Sequence, residues 1–313
     1  MIKQLLLSCA VMLSTLAHAQ QTKIVVPYSP GGGNDTIARL LAKHLSASWK
    51  TPVIVDNRPG AGTVIGTEYV AKSNGDGRTL LLSSVAVVAT SAHFMENPPY
   101  NSRRDLVPVA YMGTVLPMVL VANTQSGLRD VQNLITTARA RTLNYGSPGL
   151  GNAQHIFGAM LSDITKTNMT HIIYRSGPQA TQDLLGGQLD FMFTVPQIIL
   201  PHIQSGRLTA MAVVADDPYS ALPTVPTMSS LGYKQFAGRD QWFGVWAPSF
   251  TPPSVVERLR KEMHQVFNNE LKHELVKSFV IDPSSVPPQD LVRDQNRVAD
   301  RYLQLFLDYN IRP

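Results

Sequence analysis

Cysteine is almost absent from this sequence, and the one cysteine lies in a segment that we expect to be removed. Cys9 is the only cysteine in 313 residues. Residues 1–19 look like a secretory signal peptide, with an early lysine, a short apolar run and an Ala17-His18-Ala19 cleavage motif. Cleavage after Ala19 would place a cysteine-free chain in the periplasm, which excludes disulfides and thiol chemistry. A lipoprotein anchored at Cys9 is the alternative, but almost no apolar region precedes that residue.

Charge is also scarce, and it is not concentrated. Charged residues make up 16% of the chain, the formal net charge is +5, and Arg103-Arg104 is the only pair of adjacent arginines. No basic stripe interleaved with aromatic residues appears, so we expect no nucleic-acid partner. No histidine pair has the spacing of metal ligands, so we also expect no metal and no cofactor.

Catalytic signatures are missing as well. The sequence contains no H-E-x-x-H, S-x-x-K or G-x-S-x-G motif. The nearest match to the last motif is around Ser147, where Tyr145 stands in place of the first glycine. The glycines at 31–33 are not followed by G-K-[ST], which disfavours a nucleotide site, and Gly149-x-Gly151 is too short for a dinucleotide fingerprint. We therefore expect a binding protein and not an enzyme.

What is present is a series of alternating β and α patterns, long enough for two domains. Apolar runs predict strands, helical periodicity predicts helices between them, and this alternation indicates parallel α/β sheets. The predicted strands are 23–28, 53–55, 79–82, 119–122, 143–145, 171–174, 191–193, 211–214 and 242–248. The predicted helices include 36–49, 63–72, 131–139, 255–267 and 289–307. Trp242 and Trp246 fit best as core residues, although one of them could face a cleft.

The segment Pro27–Asp35 carries the strongest local signal. Three consecutive glycines, Gly31 to Gly33, follow a strand and precede a helix that we expect Asn34 or Asp35 to cap. Backbone N–H groups in such a loop, next to the positive end of a helix, suit an anionic ligand. The simpler interpretation is a tight turn between the strand and the helix.

Polar residues recur at the carboxyl ends of the predicted strands, in one set before about 116 and another after about Asn123. In open α/β sheets, ligands bind at this edge. Two lobes that face each other across a cleft would bring the two sets together.

Six segments, in this order along the chain, resemble motifs of the Bug-family solute receptors, the extracytoplasmic component of tripartite tricarboxylate transporters. The resemblance covers essentially the whole mature chain. The segments are Pro27–Asp35, Asn57–Gly62, Tyr174–Gly177, Gly186–Asp190, Leu222–Thr227 and Trp242–Gly244.

The resemblance implies a two-lobed periplasmic binding protein of type II, with two doubly wound βα domains joined by two hinge strands. We expect lobe 1 to comprise residues 20–118 and 240–313, and lobe 2 residues 119–239. The implied partners are a small organic acid, enclosed by hinge motion, and an inner-membrane permease. We expect a monomer. A receptor of this shape could instead dock on a sensor kinase, and the sequence does not separate the two roles.

The resemblance also assigns candidate ligand-binding residues from both lobes. Arg175 is expected to pair with a second carboxylate, while Asn57 and His155 could instead hold their own turn or helix. The candidates are Tyr28, Gly31, Gly32, Asn57, Ser83, Ser84, Ser147, Gly149, Asn152, His155, Tyr174, Arg175 and Thr194.

Thr194 is the informative departure from the family pattern. Many relatives that bind amino acids carry an acidic residue at this position, which pairs with the ammonium group of the ligand. A threonine there predicts a carboxylate ligand without an α-amine.

Overall fold

The computed structural model describes residues 21–84, 97–115, 117–236, 242–279, 281–282 and 288–311. The predicted signal peptide and Cys9 lie outside these residues. Within the described ranges, no helix combines the length and the apolar character that a membrane span requires.

Eleven strands and ten α-helices are described. The strands are β1 Thr22–Val26, β2 Val53–Asn57, β3 Thr79–Ser84, β4 Leu106–Val115, β5 Met118–Asn123, β6 Leu143–Ser147, β7 Met169–Ile173, β8 Phe191–Thr194, β9 Leu208–Val214, β10 Trp242–Pro248 and β11 Ile281–Asp282. The helices are α1 Gly33–Trp49, α2 Val64–Ala71, α3 Ser102–Asp105, α4 Val131–Ala140, α5 Ala153–Thr165, α6 Gly177–Leu185, α7 Pro196–Gln204, α8 Pro253–Val266, α9 Lys272–Phe279 and α10 Leu291–Asp308.

The strands form two sheets, one of six strands and one of five. One sheet runs β11-β4-β10-β3-β1-β2 and the other runs β7-β6-β8-β5-β9. In the first, β1 pairs in parallel with β2 and β3, while β10 returns antiparallel to β3 and β4. In the second, β6 pairs in parallel with β7 and β8, and β5 is antiparallel to β8 and β9. This arrangement confirms the predicted two-lobed α/β fold.

The chain passes from the first sheet to the second between β4 and β5, and it returns between β9 and β10. The predicted first boundary, at 118, coincides with the start of β5. The predicted second boundary, near 240, falls outside the described residues. The exact limits of the lobes therefore stay a prediction.

Local sequence signals account for the ends of α6. Pro178 lies in its first turn, where a missing N–H costs nothing. At the other end Gly187 has φ +72°, and the N–H groups of Gly187 and Gln188 donate to the carbonyls of Leu184 and Asp183. The Gly186-Gly187 pair therefore ends the helix with a glycine cap.

The predicted cap of α1 is wrong. Gly32 occupies the cap position and no side chain caps the helix. Asp35 is the third helical residue, and its carboxylate turns back to accept the N–H of Gly31. The physical reason is that an acid at the third position of a helix can accept an N–H from the loop ahead of the helix. The cap position itself is then left to a residue without a side chain.

The two tryptophans of β10 pack under the C-terminal helix. Their rings stack at 5.3 Å between centroids, and both are buried. Trp242 Nε1 donates to Asp294 at 2.7 Å, and Trp246 Nε1 donates to Gln295 at 2.6 Å, both on α10. Core packing is thus confirmed for both, and α10 is fixed to the first sheet.

Candidate functional site

A small cavity lies between the two lobes, at the carboxyl ends of the parallel strands. Its volume is about 70 Å³. Residues of both lobes line it, including Met118 and Phe243 at the starts of β5 and β10. The lining residues are Tyr28, Gly32, Gly33, Asn34, Ser84, Met118, Pro148, Asn152, Gln154, Ser176, Gly177, Val195, Ile198 and Phe243. This is the crevice in which open α/β sheets bind ligands.

Four helices point their N-termini at this cavity. The lining includes the first residues of α1 and α5, the cap and first residue of α6, and residues at the start of α7. The first N–H groups of a helix have no partner within it, and each helix carries about half a positive charge at that end. No described residue of the lining is charged. The positive character of the cavity therefore comes from backbone dipoles, which suits an anion.

A buried network holds the glycine loop that forms one wall. Asp35 accepts from the N–H of Gly31, from Arg39 Nε and from Asn57 Nδ2, each at 2.9 Å. Asn57 Nδ2 also donates to the carbonyl of Tyr28 at 3.1 Å. Burial alone would raise the pKa of Asp35, but the hydrogen bonds from Arg39, Gly31 and Asn57 outweigh it and lower the pKa. The ionised carboxylate thus fixes Gly31, whose φ of +87° a larger residue would strain.

Neutral polar groups complete this wall. Burial raises the pKa of the Tyr28 phenol, which keeps it protonated as a hydrogen-bond donor. Ser84 lies at the end of β3 and is buried in the lining. The side-chain oxygen of Asn34, also in the lining, is sealed from solvent and has no hydrogen-bond partner among the described residues.

The opposite wall is the loop that connects β6 to α5. Asn152 caps α5 by accepting the N–H of His155 at 3.0 Å, and its Nδ2 donates to the carbonyl of Gly149 at 2.7 Å. Ser147 Oγ donates to the same carbonyl at 2.9 Å. These bonds fix the direction in which Pro148, Asn152 and Gln154 face the cavity.

The two lobes touch at the mouth of the cavity. The N–H of Ser29 donates to the carbonyl of Arg175 at 3.4 Å, which joins the two walls through the backbone. A Cβ added to Gly62 would lie 3.4 Å from the backbone nitrogen of Leu150. The structure therefore shows the clamp in a closed arrangement.

The structure brings four of the predicted site residues into the lining, namely Tyr28, Gly32, Ser84 and Asn152. Gly31, Ser83 and Thr194 lie in neighbouring positions of the same loops and strand ends. Thr194 is fully buried at the end of β8, and its hydroxyl has no partner among the described residues. Contact of any of these residues with a ligand stays a prediction.

The other predicted residues have different partners in this arrangement. Asn57, Ser147 and Gly149 take part in the loop networks described above, and Tyr174 donates its hydroxyl to Asp183 at 2.8 Å. The Nδ1 of His155 accepts from the N–H of Gly151 at 3.2 Å, outside the lining. Arg175 has an exposed side chain and is not part of the described lining, so this arrangement gives no support to its expected pairing with a second carboxylate, which stays a prediction.

Several lining residues were missed by the sequence reasoning. Ser176 caps α6 by accepting the N–H of Gln179, and a serine before Gly-Pro could have indicated it. Ile198 was missed because α7 was not predicted, since it contains Pro196 and Pro201. Phe243 was quoted only as part of a motif, because strand periodicity does not show which face meets a cleft.

Comparison with known proteins agrees with this geometry. The sequence model of the tripartite tricarboxylate transporter family receptor matches residues 37–305. Protein BugT of Bordetella pertussis is 38% identical over 255 residues, which cover 80% of this chain and 78% of that protein. A protein encoded in the tcbD-tcbE intergenic region of Pseudomonas sp. strain P51 is 35% identical over 289 residues, covering 92% and 85%.

Solved structures give the same result for the fold. The R. palustris protein Rpa4515, solved with adipate, superposes with a TM-score of 0.85 at 26% identity and covers 94% of this chain and 98% of its own. The periplasmic binding protein BugD superposes with a TM-score of 0.84 at 28% identity, covering 93% and 98%. The matched family and these neighbours are receptors and binding proteins, not enzymes. The chain therefore belongs to the Bug-type receptors of the tripartite tricarboxylate transporter family, as its sequence motifs indicate.

Proposed function

We propose that this receptor captures a small organic acid without an α-amine between its lobes and delivers it to a tripartite tricarboxylate-type permease of the inner membrane. The observation that carries the proposal is the convergence of four helix N-termini on a cavity whose described lining contains no charged side chain. Such an environment compensates one or two carboxylates and offers no acidic side chain to a cation.

Order-of-magnitude energies fit a transported solute. Each charge-assisted hydrogen bond contributes about 1.5–3 kcal/mol, and each helix N-terminus adds about 0.3–1 kcal/mol for an anion. A few such interactions, less the cost of ordering the ligand and closing the lobes, give a binding free energy of about −8 kcal/mol, which corresponds to micromolar affinity.

The absence of an acidic partner supports a ligand without an α-amine. An ammonium group that is enclosed in the cavity loses its hydration free energy, and without a nearby carboxylate no ion pair offsets this loss. Thr194 occupies the position of the expected acid, and the described lining supplies no other. The R. palustris structural neighbour was solved with adipate, a dicarboxylate without an amine.

The partner and the location rest on the family and on the predicted signal peptide. A monomer that binds on one lobe and closes the other over the ligand presents a new surface only when loaded. That surface is what a permease would recognise in the periplasm.

A thermal-shift screen of the mature protein tests the ligand class. A ligand that binds only the folded state raises the melting temperature. The panel would contain succinate, adipate, malate and pyruvate, with aspartate and glutamate as amine-bearing counterparts and succinamide as the uncharged control. We expect at least one carboxylic acid without an amine to stabilise the protein, with calorimetry giving micromolar affinity. Tighter binding of aspartate or glutamate than of every acid without an amine would contradict the proposal.

A deletion strain tests the delivery step. We expect loss of uptake of the identified acid, restored by the wild-type gene. Normal uptake together with lost transcriptional induction by the acid would instead show a sensory role.

A further inference from the structure

A buried and a half-buried histidine lie directly behind the loop of lobe 2 that lines the cavity. His155 is in the first turn of α5 and His171 is on β7, and their rings stack at 4.1 Å between centroids. His155 is only 2% exposed. Neither residue is part of the described lining of the cavity.

Each imidazole is bonded to one end of the loop. The Nδ1 of His155 accepts the N–H of Gly151 at 3.2 Å. The Nε2 of His171 lies 2.7 Å from Ser147 Oγ, which itself donates to the carbonyl of Gly149. The pair thus holds the segment from Ser147 to Gly151 from behind, and the same segment presents Pro148 to the cavity.

The bond to Gly151 exists only while His155 is neutral at Nδ1. A proton on that nitrogen would set an N–H donor against the N–H of Gly151, with no acceptor between them. A backbone N–H that loses its acceptor in a buried site costs about 1–3 kcal/mol, and the loop would have to move to relieve it. Stacking on His171 makes simultaneous protonation of both rings still less favourable.

The neighbours that the structure describes around the pair are neutral or already paired. Tyr145 packs against His171 and donates its hydroxyl to the carbonyl of His155. On the outer side the two rings border a groove of about 550 Å³ that also contains Asp163, Lys166 and Tyr309. Asp163 is already paired with Lys166 at 3.1 Å, and Tyr309 stays neutral because burial and the nearby carboxylates raise its pKa. The groove gives protons a route to the rings without a free carboxylate among its described residues.

We propose that His155 is a positioning residue for ligand binding: its neutral imidazole sets the conformation of the cavity-lining loop, and its protonation releases the loop and weakens the binding of carboxylates. The claim about the loop concerns the free protein, whereas the claim about affinity rests on the proposed function. Burial lowers the pKa of His155 to about 4, so release belongs to strongly acidic conditions.

The test compares two variants with opposite expectations. In His155→Gln the side-chain oxygen can accept from Gly151 but cannot titrate, whereas His155→Leu removes the imidazole acceptor. The exposed His264, replaced by Gln, is the matched control. Hydrogen exchange of the Gly151 amide in the ligand-free protein reports the loop, and calorimetry with the best acid of the panel reports affinity.

We expect Gly151 protection to be lost in His155→Leu at every pH, kept in His155→Gln at every pH, and lost on acidification in the wild type. At pH 7.5 the affinity should fall about tenfold in His155→Leu, which corresponds to about one lost hydrogen bond, and less in His155→Gln. Between pH 7 and 4 the wild type should lose affinity by about twofold relative to His155→Gln, because a group with a pKa of about 4 is half protonated at pH 4. Titration of the ligand itself affects both proteins equally.

Wild-type protection of Gly151 in His155→Leu would overturn the inference. The inference would also fail if His155→Gln lost Gly151 protection and affinity on acidification to the same extent as the wild type. If no acid binds the wild type, the proposed function fails, and Gly151 exchange still decides the role of His155. If His155→Leu does not fold, His155→Gln and the wild-type pH profile decide it.

Discussion

Replacing Asp35 by Asn changes one atom in the network that holds the glycine loop. The carboxylate accepts three hydrogen bonds, from Gly31, Arg39 and Asn57. An amide can keep its oxygen toward the N–H of Gly31 and the Arg39 guanidinium, but its NH₂ group then faces the Nδ2 of Asn57. The variant therefore loses the bond to Asn57, and the other two bonds end on a neutral oxygen, which makes them about half as strong.

The magnitude follows from the burial of the carboxylate. Asp35 is 3% exposed, so the lost bond and the loss of charge in the other two would together cost about 3–6 kcal/mol if no water replaced the carboxylate. Arg39 is half exposed and regains water, which reduces the expected loss of unfolding free energy to about 2–4 kcal/mol. Because Gly31 precedes the cavity-lining Gly32, we expect affinity for the bound acid to fall about tenfold as well.

Urea unfolding followed by tryptophan fluorescence measures the first effect, and calorimetry measures the second. Asp300→Asn is the matched control, because Asp300 is an exposed carboxylate paired with Arg103 and should cost less than about 1 kcal/mol. A loss in Asp35→Asn no larger than in this control, with unchanged affinity, would refute the role given to the network.

Three further predictions concern closure, the exposed arginine and acid stability. Gly62→Leu should weaken acid binding and enlarge the radius of gyration of the loaded protein, because the side chain would meet Leu150 across the cleft. Gly206→Leu is the control, since Gly206 has a similar φ and no neighbouring atom within 4 Å, and equal effects of the two substitutions would contradict this prediction. Arg175→Ala should leave the affinities for mono- and dicarboxylates nearly unchanged in calorimetry, and a selective loss for dicarboxylates would restore the pairing expected from sequence. Burial lowers the pKa of His155 to about 4, and burial together with the neighbouring ring lowers that of His171 to about 3, so the unfolded chain binds protons first. Unfolding free energy should therefore be constant above pH ~6.5 and fall toward pH ~4 by up to about 1.4 kcal/mol per unit for each histidine, and a flat urea-unfolding profile over that range would contradict it.

Much of the fold could be predicted because strand and helix periodicities are local properties. The parallel strands are nearly continuous apolar runs, and their bounds were expected to within a few residues. β4 and α7 were missed for the opposite reason, since β4 includes Pro108 and α7 contains two prolines. Their conformation is decided by pairing with distant strands and by packing, which a local pattern does not contain.

The candidate site was only partly predictable. Strand ends and glycine loops indicated where a ligand would lie, and Tyr28 and Ser84 do reach the cavity. The direction of a side chain on a loop depends on its hydrogen bonds, which is why Arg175 points to solvent and His155 supports the loop from behind. Asp35 shows the same limit, because a pattern suited to a helix cap proved to hold the preceding loop instead.

A crystal structure of the mature protein with the best acid of the panel tests the central claim most directly. We predict a carboxylate between the N-termini of α1, α5 and α6, within hydrogen-bond distance of backbone N–H groups at Gly32 to Asn34 and of Ser176 or Gly177. An acid bound in the outer groove, or held by the Arg175 guanidinium with these three helix N-termini empty, would contradict the account.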